Sequence, residues 1–506
     1  MDFDLVVRGG TIVTAADKYR ADLGIRDGRI AAIADELPRG GSEVDATGRL
    51  VLPGGIESHC HIEQESSLGQ VWTADDFHSG SRSAAFGGNT TIIPFACQHR
   101  GMSVQKVVDD YHACARKSVI DYAFHAIVTD PTEAVLKSEL PALIGQGITS
   151  FKIYMTYEIM QLKDYEVLDV LAVARAEGAM VMVHAENWDM IKWVTNRLLS
   201  GGYTQPRYHA VSHPRLAEGE ATHRAISIAQ LIDVPILIVH VSAEEAIAEI
   251  QRARSMGLKV FAETCPQYLF LTAKDLDRPG SEGAMFCCSP PLRDEAAQEA
   301  VWRAVEDGTF AVFSSDHCPY SFDAKGKLAK SANPSFKQVP NGIPGIELRL
   351  PLLFSEGVNK GRIDIHRFVE LASANAAKIY GLYPRKGTIA IGADADLAIW
   401  DPDLEVEITA SALHDNAGYT PYEGRRITGW PTTVINRGTI VVDQGELKVD
   451  RGAGRFQPCD KPDPARPLGR IQPELNPETN FGAQIAPPAH RHPHICCGPE
   501  GHHHGA

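Results

Sequence analysis

The stretch GGIESHCHI at residues 54–62 reads as a buried strand ending on two histidines, and it opens a series. TTIIPFA (90–96), DYAFHAIV (121–128), SFKIYM (150–155), MVMVHA (180–185), PILIVHV (235–241), LKVFAET (258–264) and FAVFSSD (310–316) are all short apolar runs of strand length. Amphipathic segments lie between them, among them VQKVVDDYHACARK (104–117), YEVLDVLAVARAEG (165–178) and AEEAIAEIQRARSMG (243–257). Strands that alternate with helices predict parallel βα units. Eight candidate strands is the number that closes a (β/α)8 barrel.

Both flanks of this region have a different texture. DLVVRGGTIVT (4–14), DLGIRDGRIAAIA (22–34) and GRLVLPG (48–54) are strands punctuated by glycine turns. Strand texture returns in GTIAIGADADLAIWD (387–401) and GWPTTVINRGTIVVDQGEL (429–447). The first set alone is too small to bury a sheet. The two sets are therefore expected to pair into one small β-sandwich, with the barrel inserted between its halves. The expected division is 1–52 and 385–457 for the β-sandwich, 53–384 for the barrel, and 458–506 for an extended tail rich in Pro, Gly and His. Six histidines and the pair Cys496–Cys497 fall in its last seventeen residues. They could chelate a metal, or belong to a flexible tail or an arm packed on a neighbouring subunit. No internal repeat is present.

Composition narrows the class. The chain has 506 residues, 44% apolar and 22% charged, as in ordinary globular proteins. Lys plus Arg is 49 and Asp plus Glu is 64, giving −15. That excess argues against nucleic acid or an anionic membrane as the main partner, since both need a basic footprint. Ten cysteines in so long a chain are not a disulfide framework. The start, MDFDLVVRGG, has no signal-peptide pattern, and no apolar run nears the ~20 residues of a membrane span. A cytoplasmic enzyme is expected.

Ionisable residues recur where the apolar runs end: His59 and His61, Lys152, His184, His240 and Asp316. In a barrel, strand C-termini face the active site, so these six would meet at one mouth. His59-Cys60-His61 has the two-residue period that puts both imidazoles on one face, as a shared metal requires; two unrelated polar residues near a loop are the alternative. Cys60 points the other way and reads as packing. Lys152 is either an ordinary lysine at a strand end or one carbamylated by carbon dioxide, whose two anionic oxygens could bridge two metals. His184 and His240 each follow a buried run and read as core histidines or as ligands. Asp316 is a turn former or, beside a metal-bound water, a proton carrier.

The order His-x-His, Lys, His, His, Asp on successive strands resembles the amidohydrolase superfamily, and more narrowly the dihydropyrimidinase/hydantoinase family. The resemblance runs from about residue 3 to about residue 457. It is carried by GGIESHCHI, TADDFHSGSRSAAFGGNTTII, GITSFKIYMTY, VHAEN, ETCPQYLFL, CSPPLR, SSDHCPY, PNGIPGIELRLPLL and NAAKIYGLYPRKGTIAIGADADLAIWD. It implies two divalent ions, zinc being expected, and a carbon dioxide-derived carbamate on Lys152 bridging them. His59, His61 and Asp316 would hold one ion, and His184 and His240 the other. Tyr157 would donate to the developing oxyanion, where the alternative is a barrel-mouth aromatic. Backbone groups at Ser289 and Asn341 would bind the amide edge of the ring, where the alternative is plain loop chemistry. The implied reaction is hydrolysis of the cyclic amide in dihydropyrimidines or hydantoins, giving N-carbamoyl amino acids. No carboxylate other than Asp316 enters that scheme. A homo-oligomer, tetramer or dimer, is also implied.

Two departures bear on the substrate. The loop after His61 is long and polar through Glu63, Gln64, Glu65, Ser66 and Ser67, and Trp72 adds bulk. Trp188 stands in HAENW where the family usually has glycine, and its ring could narrow the mouth. A rearranged surface loop of no consequence is the alternative. An allantoinase or a cyclic-imide hydrolase therefore stays open beside the first reading. So does a non-catalytic scaffold of the dihydropyrimidinase-related kind, although all six ligand-type residues are present.

Overall fold

A computed structural model describes residues 3–470 and 472–483. The candidate chelating tail residues, including Cys496 and Cys497, lie outside them. At the N-terminus, β1 (Leu5–Val13), β2 (Lys18–Arg26), β3 (Arg29–Ala34), β4 (Ser42–Asp45) and β5 (Leu50–Pro53) precede the barrel. The barrel strands are β6 (Gly55–Cys60), β7 (Asn89–Cys97), β8 (Asp121–Tyr122), β9 (His125–Ile127), β10 (Ser150–Tyr154), β11 (Met180–His184), β12 (Ile236–Ile238), β13 (Val260–Thr264) and β14 (Val312–Phe313). After it come β15 (Leu397–Glu407), β16 (Arg426–Asn436), β17 (Thr439–Asp443) and β18 (Glu446–Leu447).

The chain ends build one sheet, in the order β18-β17-β16-β15-β5-β1-β2-β3, with β4 on β1. The seam between the two halves is antiparallel, with Val51 opposite Ile399 and Leu52 opposite Ala398. Leu5, Leu23 and Ile25 from one half share a core with Leu397, Ile399 and Ile435 from the other. This is the β-sandwich expected of the two strand-rich flanks.

The second sheet runs β14-β13-β12-β11-β10-β9-β7-β6 with β8 on β7, all parallel. The run at 121–128 makes two short strands, β8 and β9, rather than one. The two outer edges of the sheet meet. Cys60 bridges His317 in parallel, and the His61 N–H donates to the His317 carbonyl at 2.7 Å. That closure brings the segment after β14 against the end of β6.

Strand alternation separates two cores. Met180, Met182, Leu237, Val239 and Val312 pack inside the barrel, whereas Val181, Val183, Ile236, Ile238 and Phe313 face the surrounding helices. Both faces are thus covered, as parallel sheets require.

A buried ion cluster ties barrel to sandwich. The Lys386 ammonium lies 2.8 Å from Asp121 and 3.3 Å from Asp394, and also pairs with Asp396. Arg437 donates to both oxygens of Asp121 at 3.0 Å. The three clustered aspartates are therefore held by a cation of the chain itself. Residues 458–470 and 472–483 form no helix or strand apart from short 3-10 turns. They lie on the barrel's own underside: the Cys459 N–H donates to the Gly147 carbonyl at 2.9 Å, and Asp233 accepts from the Leu468 and Arg470 backbones. Among the described residues, no helix is long and apolar enough to cross a membrane, and eight cysteines are free thiols.

Candidate active site

The site lies at the C-terminal ends of the barrel strands, and two departures from regular strand geometry aim its residues inward. With strict alternation Ile56 and Cys60 would share a face. A register shift between Glu57 and Cys60 breaks the pleat, so Ile56 faces the barrel interior while Cys60 joins the outer core. His59 and His61 then face the mouth, and Cys60 is packing, as expected. Alternation from Leu237 and Val239 inside would send His240 outward. Its backbone is instead left-handed, with φ 39°. Asp316 (φ 49°) and Tyr157 (φ 64°) share this conformation. Such positions are sparsely populated for residues with a side chain and collect at functional sites.

All six ligand-type residues are buried. The Asp316 Oδ1 lies 3.2 Å from His59 Nε2 and 3.3 Å from His61 Nε2. The Lys152 Nζ is 2.8 Å from the same His59 nitrogen. Ligand-type atoms of His59, His240 and Asp316 fall within 4.8 Å of one another, and the His184 and His240 ring centroids are 4.3 Å apart. Tyr157, Ser289 and Asn341 line the same cavity. The Asn341 loop closes tightly: a Cβ on Gly342 (φ 144°) would meet the Cys318 carbonyl at 2.4 Å, so only glycine fits.

Burial sets the charge states. It lowers Lys152 to about 8, against the opposing pull of Asp316 and Glu263. Burial also lowers His61 to about 4, and lowers His184 and His240. Burial and Lys152 pull His59 down, but Glu263 and Asp316 outweigh them and leave it raised. Asp316 is pushed up by burial, yet His59, His61 and His240 hold it well below the usual carboxylate range. Burial, then the Glu186 charge, push the Tyr157 hydroxyl up, opposed by Ser289 and Asn341.

The expectation that Asp316 is the only carboxylate involved is corrected by Glu263 and Glu186, which stand with the amide of Gln64 behind the histidines. Glu263 pairs with His59 Nδ1 in full burial. Glu186 Oε2 lies 2.8 Å from His184 Nε2 and accepts from the Ser289 hydroxyl at 2.8 Å. Gln64 Oε1 is 2.7 Å from His61 Nδ1. Acceptors of this kind fix the tautomer and ring plane of a ligating imidazole. Glu263 directly follows the apolar run Val260–Ala262, but nothing in that run points to its partner His59.

The polar loop is ordered. Ser66 N–H donates to the Val71 carbonyl at 2.7 Å and Thr73 N–H to that of Gln64 at 2.9 Å. Gln64, Glu65, Ser66 and Ser67 line the mouth, so the loop is not a bystander. Trp72 does not add bulk there; its side chain is 58% exposed on the outer surface. Trp188 is buried beside Ile191 and Ala217 and borders an adjoining cavity with Ser67, Tyr157 and Asn341.

The donor set fits a metal centre. It combines imidazoles and a carboxylate, the ligands zinc takes, and His240 Nδ1 is buried without a protein partner. Comparison with known proteins agrees. Residues 50–441 match the amidohydrolase family model. The D-hydantoinase of Ralstonia pickettii is 44% identical over 90% of this chain and 98% of its own. That of Geobacillus stearothermophilus is 45% identical over 89% and 95%. The crystal structure of dihydropyrimidinase from Brevibacillus agri NCHU1002 superposes with a TM-score of 0.88 at 40% identity, covering 91% of this chain and 99% of that one. This chain therefore belongs to the amidohydrolase family, among its D-hydantoinase and dihydropyrimidinase members.

Proposed function

We propose that this chain hydrolyses the amide C–N bond within a hydantoin or dihydropyrimidine ring and releases an N-carbamoyl amino acid. One observation carries the reading: His59, His61, Lys152, His184, His240 and Asp316 share one buried mouth in a chain matched by D-hydantoinases over nearly their whole length. His59, His61 and Asp316 would hold one divalent ion and His184 and His240 a second, with a carbamate on Lys152 between them; zinc is the proposed metal. Such ions, when bound, supply a Lewis acid for the ring carbonyl and make water acidic enough to attack near neutral pH.

The protein's own groups do the rest. Backbone groups at Ser289 and Asn341 hold the amide edge of the ring. Tyr157 stays protonated because burial raises its hydroxyl, and it donates to the carbonyl oxygen as negative charge grows there. Asp316 is ionised. It takes the proton of the attacking water and passes it to the ring nitrogen as the C–N bond breaks. The chain acts as a homo-oligomer, a dimer or tetramer, in this proposal.

Substrate profiling tests it. Hydantoin, dihydrouracil and 5-phenylhydantoin are expected to open, with allantoin and succinimide poor. Turnover of allantoin alone, or of succinimide alone, overturns the assignment in favour of an allantoinase or a cyclic-imide hydrolase. Absence of bound metal after purification, with no turnover, supports a scaffold instead.

A further inference from the structure

The cavity beside the mouth has a one-sided charge. Ser67, Tyr157 and Asn341 border both spaces. Trp188, Phe336 and Val339 give the second one apolar surface. His209 and His213 line it as well, but burial lowers them to about 3 and about 4, so both imidazoles are neutral near pH 7. No carboxylate lines it. Among the described residues, Lys337 is its one permanent charge.

The backbone under Lys337 is fixed. It is the central residue of the 3-10 turn Phe336–Gln338. The Ser335 N–H donates to Gln338 Oε1 at 3.0 Å, and the Phe336 N–H to the Thr204 carbonyl at 2.8 Å. The side chain reaches solvent, and its Nζ lies 4.9 Å from the centre of the Trp188 ring. An indole face attracts an ammonium without cancelling its charge. Glu158, the carboxylate whose charge reaches Lys337, is already paired with Lys192 at 2.9 Å. Lys337 itself forms no ion pair among the described residues. Glu65 is the acid of the neighbouring mouth. It is committed to its own loop, where it accepts the Gln70 N–H, and lies 4.0 Å from His99.

We propose that Lys337 is a specificity-determining residue, which recognises a carboxylate at the end of a short aliphatic substituent on ring carbon 5 and so extends the substrate class to hydantoins of acidic amino acids. This rests on the proposed function. A ring held in the mouth directs its substituent past Tyr157 and Asn341 into the second cavity. Its methylenes pack against Trp188 and Phe336, and its carboxylate meets an ammonium that has no other anion to leave.

The zinc-loaded enzyme is assayed with 5-(2-carboxyethyl)hydantoin and its amide, 5-(2-carbamoylethyl)hydantoin, which match in size and differ in charge. The ratio of their kcat/KM within one variant cancels any general change in turnover. The parent is expected to favour the acid about fivefold, the upper range for an ion pair that solvent reaches. The preference should lie in KM and shrink with added salt. Lys337→Gln is expected to abolish it, Lys337→Glu to reverse it, and Lys337→Arg to keep it. All three side chains are long and polar and fit an exposed turn; Lys337→Glu decides if Lys337→Gln does not fold.

A parent that opens the amide as well as the acid overturns the inference, and so does a Lys337→Gln enzyme with the parent's ratio. Preference for 5-(3-aminopropyl)hydantoin over both overturns it too, and assigns recognition of the substituent to Glu65. Opening of hydantoin itself but not of the acid overturns the inference alone. A zinc-loaded parent that opens no ring, hydantoin included, overturns the proposed function and the inference with it.

Discussion

Lys152 offers the sharpest test, because the structure sets how fast a carbamate can form on it. Only the neutral amine attacks carbon dioxide. An exposed lysine near pKa 10.4 is about 0.04% neutral at pH 7. Burial lowers Lys152 to about 8, which makes about 10% of it neutral at the same pH, a gain of roughly 250-fold. The sign follows directly. Neutral amine increases about tenfold from pH 6 to pH 7, less steeply to pH 8, and then levels off. Metal-free enzyme, depleted of carbon dioxide and reconstituted with zinc at limiting bicarbonate, is expected to regain activity at a rate that follows this curve, after allowance for the free carbon dioxide present at each pH. Labelled bicarbonate should give one carbamate resonance per chain. Lys152→Arg cannot form the carbamate and should fail to hold the second zinc. Reconstitution at full rate without carbon dioxide, or a Lys152→Arg enzyme with two tightly bound zincs, would refute the reasoning.

Other groups make separate predictions. Asp316→Asn keeps the side chain's shape but cannot take up a proton. It should lower kcat about 10²–10⁴-fold, and full turnover with both zincs bound would exclude the assigned role. Lys386→Met strips the cation from three clustered carboxylates. Breaking a buried ion pair costs about 3–5 kcal/mol, read as a lowered urea midpoint; a midpoint equal to the parent's contradicts the staple. Burial, and then the neighbouring Asp75 charge, raise Asp415 to about 6. An acid raised on folding contributes stability that is complete below its unfolded pKa of about 3.9 and is lost as pH rises through its folded value. The parent's thermal midpoint should therefore decline more between pH 4 and pH 6 than that of Asp415→Asn, and parallel curves would contradict this.

The barrel was legible because its signal is repeated. Each strand is a short apolar run, and chance rarely sets eight of them between amphipathic helices. The same repetition marked Lys152, His184, His240 and Asp316, each the first ionisable group in or after an apolar run, with His59 following Glu57. Two features left no mark in residue types. The register shift beside Cys60 and the left-handed backbone of His240 are set by tertiary contacts, and both reverse the face that alternation assigns. The split of the third run into β8 and β9 is equally local. Sequence distance hid the supporting acceptors more than chemistry did: Glu263 reaches His59 across 204 positions, and Ser289 reaches Glu186 across 103.

Gln64 shows why the polar loop and the ligand set cannot vary independently. Its side chain meets His61 Nδ1 at 2.7 Å, its carbonyl receives the Thr73 N–H that pairs the two arms of the loop, and it borders the mouth itself. A change in loop sequence that moves Gln64 therefore moves a ligating imidazole as well as the wall that meets the substrate. Glu186 makes the same connection on the opposite side, between His184 and Ser289. Each half of the site thus ties a ligand-type histidine to a neighbouring segment of the pocket through a single residue. Substitutions chosen to widen the mouth at Gln64 will also alter metal retention, as will changes at the buried Glu186. Changes at Trp188, which borders the adjoining cavity and shares no hydrogen bond with the histidines, leave the ligands in place.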